Sequence, residues 1–466
     1  MDAWLKGAID YLPRWLEFQM RQTTLPGCVV AVARRGEVVL DRAFGQADLS
    51  TGKRLTAQHR FRVASHSKTF TASAILKLRE QGRLRLDDPA GRYVEGLHPD
   101  VATTTLNQLL SHSAGLIRDG ADAGQWQGRR PFLSRTELRR ALAEAPVLPA
   151  STRFKYSNHG YGLLGLVIEA VTDEPYATWM RREIIAPAGL TQTLPDAPVP
   201  ARTPMASGHS TDQPLGHRVV VPGNIGTDAV APAGGFVSTA GDLARYFSSL
   251  DPARRGGLLS PSSRRELIRA QWRDAHSSAP IEYGLGVMLG GQGDWRWFGH
   301  GGVFPGYISQ TMTLPAQGLT VSVVTNGADR LANLWADGAV QIMRTFAERG
   351  APGRAAADWA GRWWHLWSAV DLVPVGDAVL VAQPGLTNPF LDASEIAIDG
   401  PDRGTIRLAG GLMSHGETVR RVRGANRKVR EVWLAGMRHR SEAAARAELR
   451  RLYGQKPKSP QGGKRR

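Results

Sequence analysis

Ser65 and Lys68 stand three residues apart near the head of Phe61-Arg-Val-Ala-Ser-His-Ser-Lys-Thr-Phe-Thr-Ala-Ser-Ala-Ile-Leu-Lys-Leu78. Phe61–Ala64 reads as extended, the chain turns at Ser65, and the Ala- and Leu-rich run from Thr69 predicts a helix reaching Gln81 and stopped by Gly82. Positions i and i+3 share a helix face, so the amine can lie beside the hydroxyl. A serine is a poor nucleophile at neutral pH until a neighbour takes its proton. A lysine desolvated against an apolar helix has its pKa lowered toward that task. The helix entrance adds free N–H groups and partial positive charge where an oxyanion would form. Acyl transfer is the chemistry these groups allow. The pattern alone is loose, since a capping serine beside a solvated lysine looks the same. A second copy, Ser50-Thr-Gly-Lys53, falls in a polar turn with no helix behind it and is read as chance.

Two other short stretches supply partners. Tyr156-Ser-Asn158 is the only Tyr-x-Asn in the chain and sits in a loop before a helix. A phenol beside a lysine ammonium is expected to have a lowered pKa, so Tyr156 can shuttle a proton between serine and leaving group. Asn158 offers a donor and an acceptor to a substrate amide. His300-Gly301-Gly302 comes between strand-like runs, where an edge strand is expected. Its glycines would let a substrate backbone approach, and His300 would bring polarity or positive charge.

The elements that hold these residues follow from periodicity. Residues 2–21 predict a helix interrupted near Pro13, and Cys28–Arg34 and Glu37–Phe44 a hairpin around Arg35-Gly36. Helical patterns fill the middle: one opened by the capping box Ser134-Arg-Thr-Glu137, one at Gly160–Thr172, one after Ser238. Strand patterns return at Tyr283–Leu289, Trp295–Phe298, Ile308–Leu314 and Leu319–Thr325, before a helix at Leu331–Glu348. The expected fold is α+β: an antiparallel sheet closed by both chain ends and flanked by helices, with an inserted helical lobe. Gly350–Ala357 reads as a linker. Beyond it, short strands at Ala378–Ala382, Ile396–Ile398, Thr405–Leu408 and Glu431–Leu434 point to a small β-rich C-terminal domain. The expected domains are thus 1–349, 355–453 and a disordered basic tail, 454–466. Trp359, Trp363 and Trp367, at i, i+4 and i+8, read as a packing stripe.

Composition narrows the class. Hydrophobic residues are 42% and charged residues 22% of 466, as in ordinary globular proteins. No apolar run is long enough for a membrane span, and the N-terminus lacks the pattern of a signal peptide, so a cytoplasmic location is expected. Cys28 is the only cysteine, which leaves no intrachain disulfide, and its apolar surroundings make it a small buried hydrophobe. The net charge of +17 is uneven, since residues 420–466 hold sixteen Lys or Arg against three Asp or Glu. Such a tail usually only solvates a terminus, so contact with nucleic acid or an anionic membrane is not expected of it. The twelve histidines show no His-Glu-x-x-His or similar spacing, so neither metal nor cofactor is expected. There is no Gly-x-Ser-x-Gly elbow, which argues against an α/β-hydrolase.

With Leu109-Leu-Ser-His-Ser-Ala-Gly-Leu116, Tyr156-Ser-Asn-His-Gly-Tyr161, Pro232-Ala-Gly-Gly-Phe-Val-Ser-Thr-Ala-Gly-Asp242 and Gly299-His-Gly-Gly-Val-Phe-Pro-Gly-Tyr307, residues 10 to 348 resemble the serine β-lactamase and penicillin-binding superfamily. The resemblance is to its class C-like branch, which also holds esterases, D-aminopeptidases and DD-peptidases. It implies a β-lactamase/transpeptidase-like fold, with Ser65 as nucleophile, Lys68 as its partner and Tyr156 as general base or proton shuttle. Asn158 would touch substrate or Lys68, and His300, Gly301 and Gly302 would form the third motif. The backbone N–H groups of Ser65 and Val303 would form the oxyanion hole. The class C β-lactamases carry lysine where this chain has His300, and they are exported, which weakens antibiotic hydrolysis as the native activity. The expectation is therefore a cofactor-free serine hydrolase that forms an acyl-enzyme with an ester, a D-amino-acid amide or a peptide-like substrate. A β-lactamase or DD-peptidase, and a non-catalytic relative that binds peptidoglycan-like ligands, are the alternatives.

Overall fold

The computed structural model describes residues 1–213, 215–274, 281–410 and 413–454, so all but the first residue of the expected tail lies outside it. Two compact units emerge: Thr23–Ala336, and Met1–Gln22 together with Asp337–Arg466.

The first unit is built on Gly27–Arg34 (β1), whose Val- and Ala-rich sequence is buried on both faces up to Arg34. Arg35 and Gly36 both take positive φ, 51° and 88°. That geometry matches the twist of the flanking strands and turns β1 tightly into Glu37–Asp48 (β2). Seven more strands complete an antiparallel sheet: Lys53–Arg54 (β3), Trp272–Asp274 (β4), Ile281–Tyr283 (β5), Met288–Gln292 (β6), Trp295–Phe304 (β7), Tyr307–Leu314 (β8) and Leu319–Thr325 (β9). Their order is β3-β2-β1-β9-β8-β7-β6-β5-β4. β1 pairs with β9, Cys28 opposite Thr325, so strands from the two ends of the unit meet at the sheet's centre. The chain between β3 and β4 supplies the helices, including Ser67–Glu80, Asn158–Thr172 and Ala240–Ser249. This is the α+β architecture that the periodicity implies. Cys28 is fully buried, and burial pushes its thiol far up, as expected of a packed hydrophobe.

In the second unit eight strands, from Gly361–Trp364 to Met437–Arg440, close into a barrel. Trp359, Ile396, Ile406, Val419 and Val432 pack its core. The Arg421 guanidinium lies 4.4 Å over the Trp359 ring and 2.8 Å from the Asp358 carboxylate.

Three expectations change here. The helix Ala3–Arg21 runs unbroken through Pro13. Proline removes one helix hydrogen bond and costs roughly 3 kcal/mol in a helix interior, which burial of Leu5, Ala8, Leu12, Trp15 and Leu16 can offset. This helix is also fastened to barrel residues: Tyr11 donates to Asp371, Trp15 to the Leu386 carbonyl and Gln19 to the Pro384 carbonyl. It therefore belongs with the second unit, whose divisions fall at 22/23 and 336/337 rather than near 350. The tryptophan stripe is not one packing face. Trp363 lies in the strand Gly361–Trp364, Trp359 is buried in the barrel core, and Trp367 stands exposed in a turn. No described helix is long and apolar enough to cross a membrane.

Candidate active site

Local chemistry explains how Ser65 is presented. Phe61–Arg62 pairs with Val237–Ser238, and the Val63 N–H donates to the Phe236 carbonyl. Ala64 then takes φ of +43°, a costly conformation for a residue with a Cβ, and opens the 3-10 turn Ala64–His66. Neighbours hold that turn in place. Ser67 Oγ donates to the Ala64 carbonyl at 2.5 Å and accepts from the Phe236 N–H at 2.9 Å. His66 Nδ1 donates to the Val63 carbonyl at 2.9 Å, and its Nε2 meets Thr311 Oγ1 at 3.0 Å. Burial lowers the His66 pKa to about 4, so the ring is a neutral brace. Behind it, Phe70 stacks between Phe236 and Tyr246, at 4.3 and 3.8 Å, and anchors the helix Ser67–Glu80.

A second helix start brings the other motif to the same place. Ser157 caps Asn158–Thr172, accepting from the Gly160 N–H, while its hydroxyl donates to the Ile117 carbonyl. The Asn158 N–H donates to the Arg118 carbonyl. With the cap fixed, Asn158 is the first helical residue and Tyr156 lies two residues earlier. The Tyr156 hydroxyl donates to Ser65 Oγ at 2.8 Å, and Lys68 Nζ lies 3.3 Å from the same oxygen.

Lys68 is fully buried and donates to Asn158 Oδ1 at 2.7 Å and to the Ala233 carbonyl at 2.8 Å. Burial holds its pKa well below the ordinary lysine value; Asp119 opposes that shift and Arg118 adds to it. Tyr156 departs from expectation in direction. Desolvation raises its pKa, outweighing the lowering by its bond to Ser65 and by Arg118. The phenol is a protonated donor across the neutral range.

Sequence reasoning missed Asp119, and it read His112, in the segment Leu109–Leu116, as structural. Asp119 Oδ1 accepts from Asn158 Nδ2 at 2.6 Å and from Trp126 Nε1 at 2.8 Å, and Oδ2 accepts from Arg118 Nε at 3.0 Å. A carboxylate only accepts, so it fixes the Asn158 amide with its oxygen toward Lys68. His112, at φ +58°, brackets Tyr156: its carbonyl accepts the Lys155 N–H at 2.7 Å and its Nδ1 the Ser157 N–H at 3.1 Å. Its ring packs 4.1 Å from the Tyr156 ring. Asp119 belongs to no periodic pattern or quoted segment, and only tertiary closure gives it a role. Asp119→Asn is expected to lower kcat about 10- to 100-fold. It should also move the acid limb of the pH profile to lower pH, because Asp119 is the group that raises Lys68. Steady-state kinetics between pH 4 and 10 check both effects.

The third motif lies within a strand rather than between strands. His300, Gly301 and Gly302 belong to β7, which pairs with β8 through Phe304↔Tyr307, whereas β6 pairs only as far as Gly299. From His300 to Phe304 no described strand covers the other edge, and this open edge faces the cleft. His300 is buried, and burial aided by His66 and Lys68 holds its pKa well below the ordinary value. Its Nδ1 donates to the Gly301 carbonyl at 2.6 Å, and its Nε2 accepts from the Tyr283 hydroxyl at 3.0 Å. It is a neutral ring with both nitrogens engaged, so of the polarity or positive charge expected of it only the polarity holds. Gly302 serves the protein's own packing: a Cβ there would sit 2.3 Å from the Val63 carbonyl oxygen and 2.6 Å from Ser309 Oγ. Gly302→Ala is expected to cost roughly 2–3 kcal/mol and lower Tm by several degrees. Gly301→Ala should cost less, because its Cβ would meet the movable amide end of Gln310. Thermal denaturation of the two variants tests the difference.

Ser65, Tyr156, Asn158, His300, Gly301 and Val303 all line one cleft of about 510 Å³. Trp126, Met288, Phe304 and Ile308 give it apolar walls, and Arg118, Gln310 and Asn333 give it polar ones. Among the described residues no cluster of His, Cys, Asp or Glu is arranged to hold a metal ion.

Known proteins are similar to this chain in sequence or in fold. Protein flp of Staphylococcus aureus strain COL is 28% identical over 184 residues, 38% of this chain and 36% of flp. The chain thus spans little more than a third of that relative's length. Esterase EstB of Burkholderia gladioli is 29% identical over 290 residues, 53% of this chain and 71% of EstB. Among solved structures, the octameric penicillin-binding protein homologue of Pyrococcus abyssi superposes with a TM-score of 0.63 at 22% identity, covering 92% of this chain and 99% of that one. A D-stereospecific amidohydrolase of Streptomyces sp. does so with a TM-score of 0.58 at 25% identity, covering 69% and 94%. The profile of the family described as Beta-lactamase matches residues 12–343, most of the chain, and the chain belongs to that family.

Proposed function

We propose that the protein is a class C-like serine hydrolase that acts through a covalent acyl-enzyme on Ser65. The observation that carries this reading is the set of bonds around Lys68. A neutral amine has two N–H groups and one lone pair. Asn158 Oδ1 and the Ala233 carbonyl take the two N–H groups, which leaves the lone pair for Ser65 Oγ, 3.3 Å away. Burial favours that neutral form. As Ser65 Oγ attacks the acyl carbon, its proton passes to Lys68. Tyr156, which donates to the same oxygen, delivers its proton to the leaving group and regains one from Lys68 in the same motion. The raised phenol pKa disfavours a free phenolate, so the transfer is concerted. Water then attacks the acyl-enzyme, the lysine takes its proton, and Ser65 Oγ leaves protonated. The backbone N–H groups of Ser65 and Val303 are the oxyanion donors in this scheme, each worth about 3 kcal/mol of barrier. Asn158 keeps one N–H for a substrate carbonyl, and the open edge of β7 takes the substrate backbone.

The substrate is an ester or a D-amino-acid amide, in line with the names of EstB and the Streptomyces amidohydrolase. A neutral, fully engaged His300 supplies no cation to the cleft, so β-lactam hydrolysis and DD-peptidase activity should be weaker. A panel of short-chain p-nitrophenyl esters, D-amino-acid amides, muropeptides and a chromogenic β-lactam, given to wild type and Ser65→Ala, tests this. Ester or D-amide turnover lost in Ser65→Ala is the expected result. Turnover of none, or equal turnover by both proteins, overturns it.

A further inference from the structure

The second unit carries an apolar surface that the hydrolase reading does not use. Between the turn after the strand Gly361–Trp364 and the helix Glu442–Tyr453 lies a groove of about 300 Å³ lined by Leu366, Trp367, Leu449, Leu452 and Tyr453, among others. Large apolar side chains rarely stand this far out of a soluble surface in one cluster. Trp367 is 76% exposed, Leu366 56%, Tyr453 63% and Leu452 51%.

Glu448 lines the groove but is paired with Arg438 and Arg440, so the unpaired charge near it is positive. Arg450 and Arg451 are exposed on the last turn of that helix and make no ion pair among the described residues. The helix's own acids are already engaged: Glu442 with Arg446, Glu448 with Arg438 and Arg440. Apolar groups and unpaired cations therefore lie side by side at one end of the unit.

We propose that this face of the unit docks on an anionic lipid surface, with Leu366 and Trp367 entering the interface beside Leu452 and Tyr453 while Arg450 and Arg451 hold the headgroups. Trp and Tyr favour that depth, where the ring is in an apolar layer and the N–H or O–H stays wet. Basic residues next to an apolar wedge are what an anionic leaflet attracts. Lipid fits better than nucleic acid, because Leu366 and Leu452 stand out beside the rings, and exposed aliphatic chains gain from an apolar layer and nothing from a stack of bases.

The test is co-sedimentation of the full chain with phosphatidylcholine vesicles holding 0 or 30% phosphatidylglycerol. Binding should be at least about tenfold tighter to the anionic vesicles and should weaken in 0.5 M salt. Leu366→Ser with Trp367→Ser should lower it about tenfold or more. Arg450→Glu with Arg451→Glu should lower it at least as much by reversing two charges. All four side chains are surface groups, and unchanged melting curves would exclude misfolding. Absence of vesicle binding, equal binding to both vesicles, or full binding by the Leu366/Trp367 variant overturns the proposal. So does binding to a DNA duplex without binding to vesicles.

Discussion

Replacing Lys68 by methionine is expected to lower kcat/KM by about 10³- to 10⁴-fold, and replacing it by arginine to lower it as much. The arginine result separates two roles for the residue. If the site needs only positive charge beside Ser65, a guanidinium keeps it. If the site needs a lone pair, arginine fails, because it stays protonated at every working pH. The arrangement favours the second role, since Lys68 is buried, its pKa is held down, and both N–H groups of its neutral form have acceptors. The sign of the pH dependence follows. The rate should rise with pH as the amine loses its proton, with the midpoint well below the ordinary lysine value, and then level off. Kinetics on any ester that wild type turns over, with circular dichroism to confirm folding, measure this. An arginine variant near the wild-type rate would remove Lys68 as the base.

Tyr156→Phe should lower kcat by about 10²- to 10³-fold and leave KM within a few-fold. The change deletes one O–H, the donor 2.8 Å from Ser65 Oγ, and keeps the ring that packs on His112. Because burial raises the phenol, wild type should keep a flat plateau through neutral pH and show no further gain until above the ordinary tyrosine value. A rate that climbs steadily toward pH 10 would mean that a phenolate is the active form. Phenylalanine at the wild-type rate would take Tyr156 out of the proton path.

The residues proposed to react were picked out in the sequence because their spacing is local. Ser65 and Lys68 share a helix face, and Tyr156 and Asn158 straddle one capping serine. The residues that orient them were not legible. Asp119 meets Asn158 across 39 positions of chain, and nothing about an acid in a loop marks it beforehand. His112 reads as structural, but what it braces is visible only once the Lys155 and Ser157 N–H groups turn back onto it. The same limit explains the misread tryptophans. A spacing of four suggests one packing face, but Trp359 is buried in the barrel core, Trp363 lies in a strand and Trp367 in an exposed turn, so no single element carries all three. Barrel strands such as Ala369–Val375 and Thr418–Arg423 were missed for a related reason. One carries Pro374 and the other alternates with arginines, so neither shows a clear strand signature until closure pairs it with its neighbours.

The most direct test is mass spectrometry after labelling with a fluorophosphonate, which traps a nucleophilic serine. One adduct is expected per chain, on the tryptic peptide Val63–Lys68, with fragment ions placing it on Ser65 rather than Ser67. It should be absent from Ser65→Ala and strongly reduced in Lys68→Met. An adduct on another residue, or Ser65→Ala turning over substrate at the wild-type rate, would contradict the account.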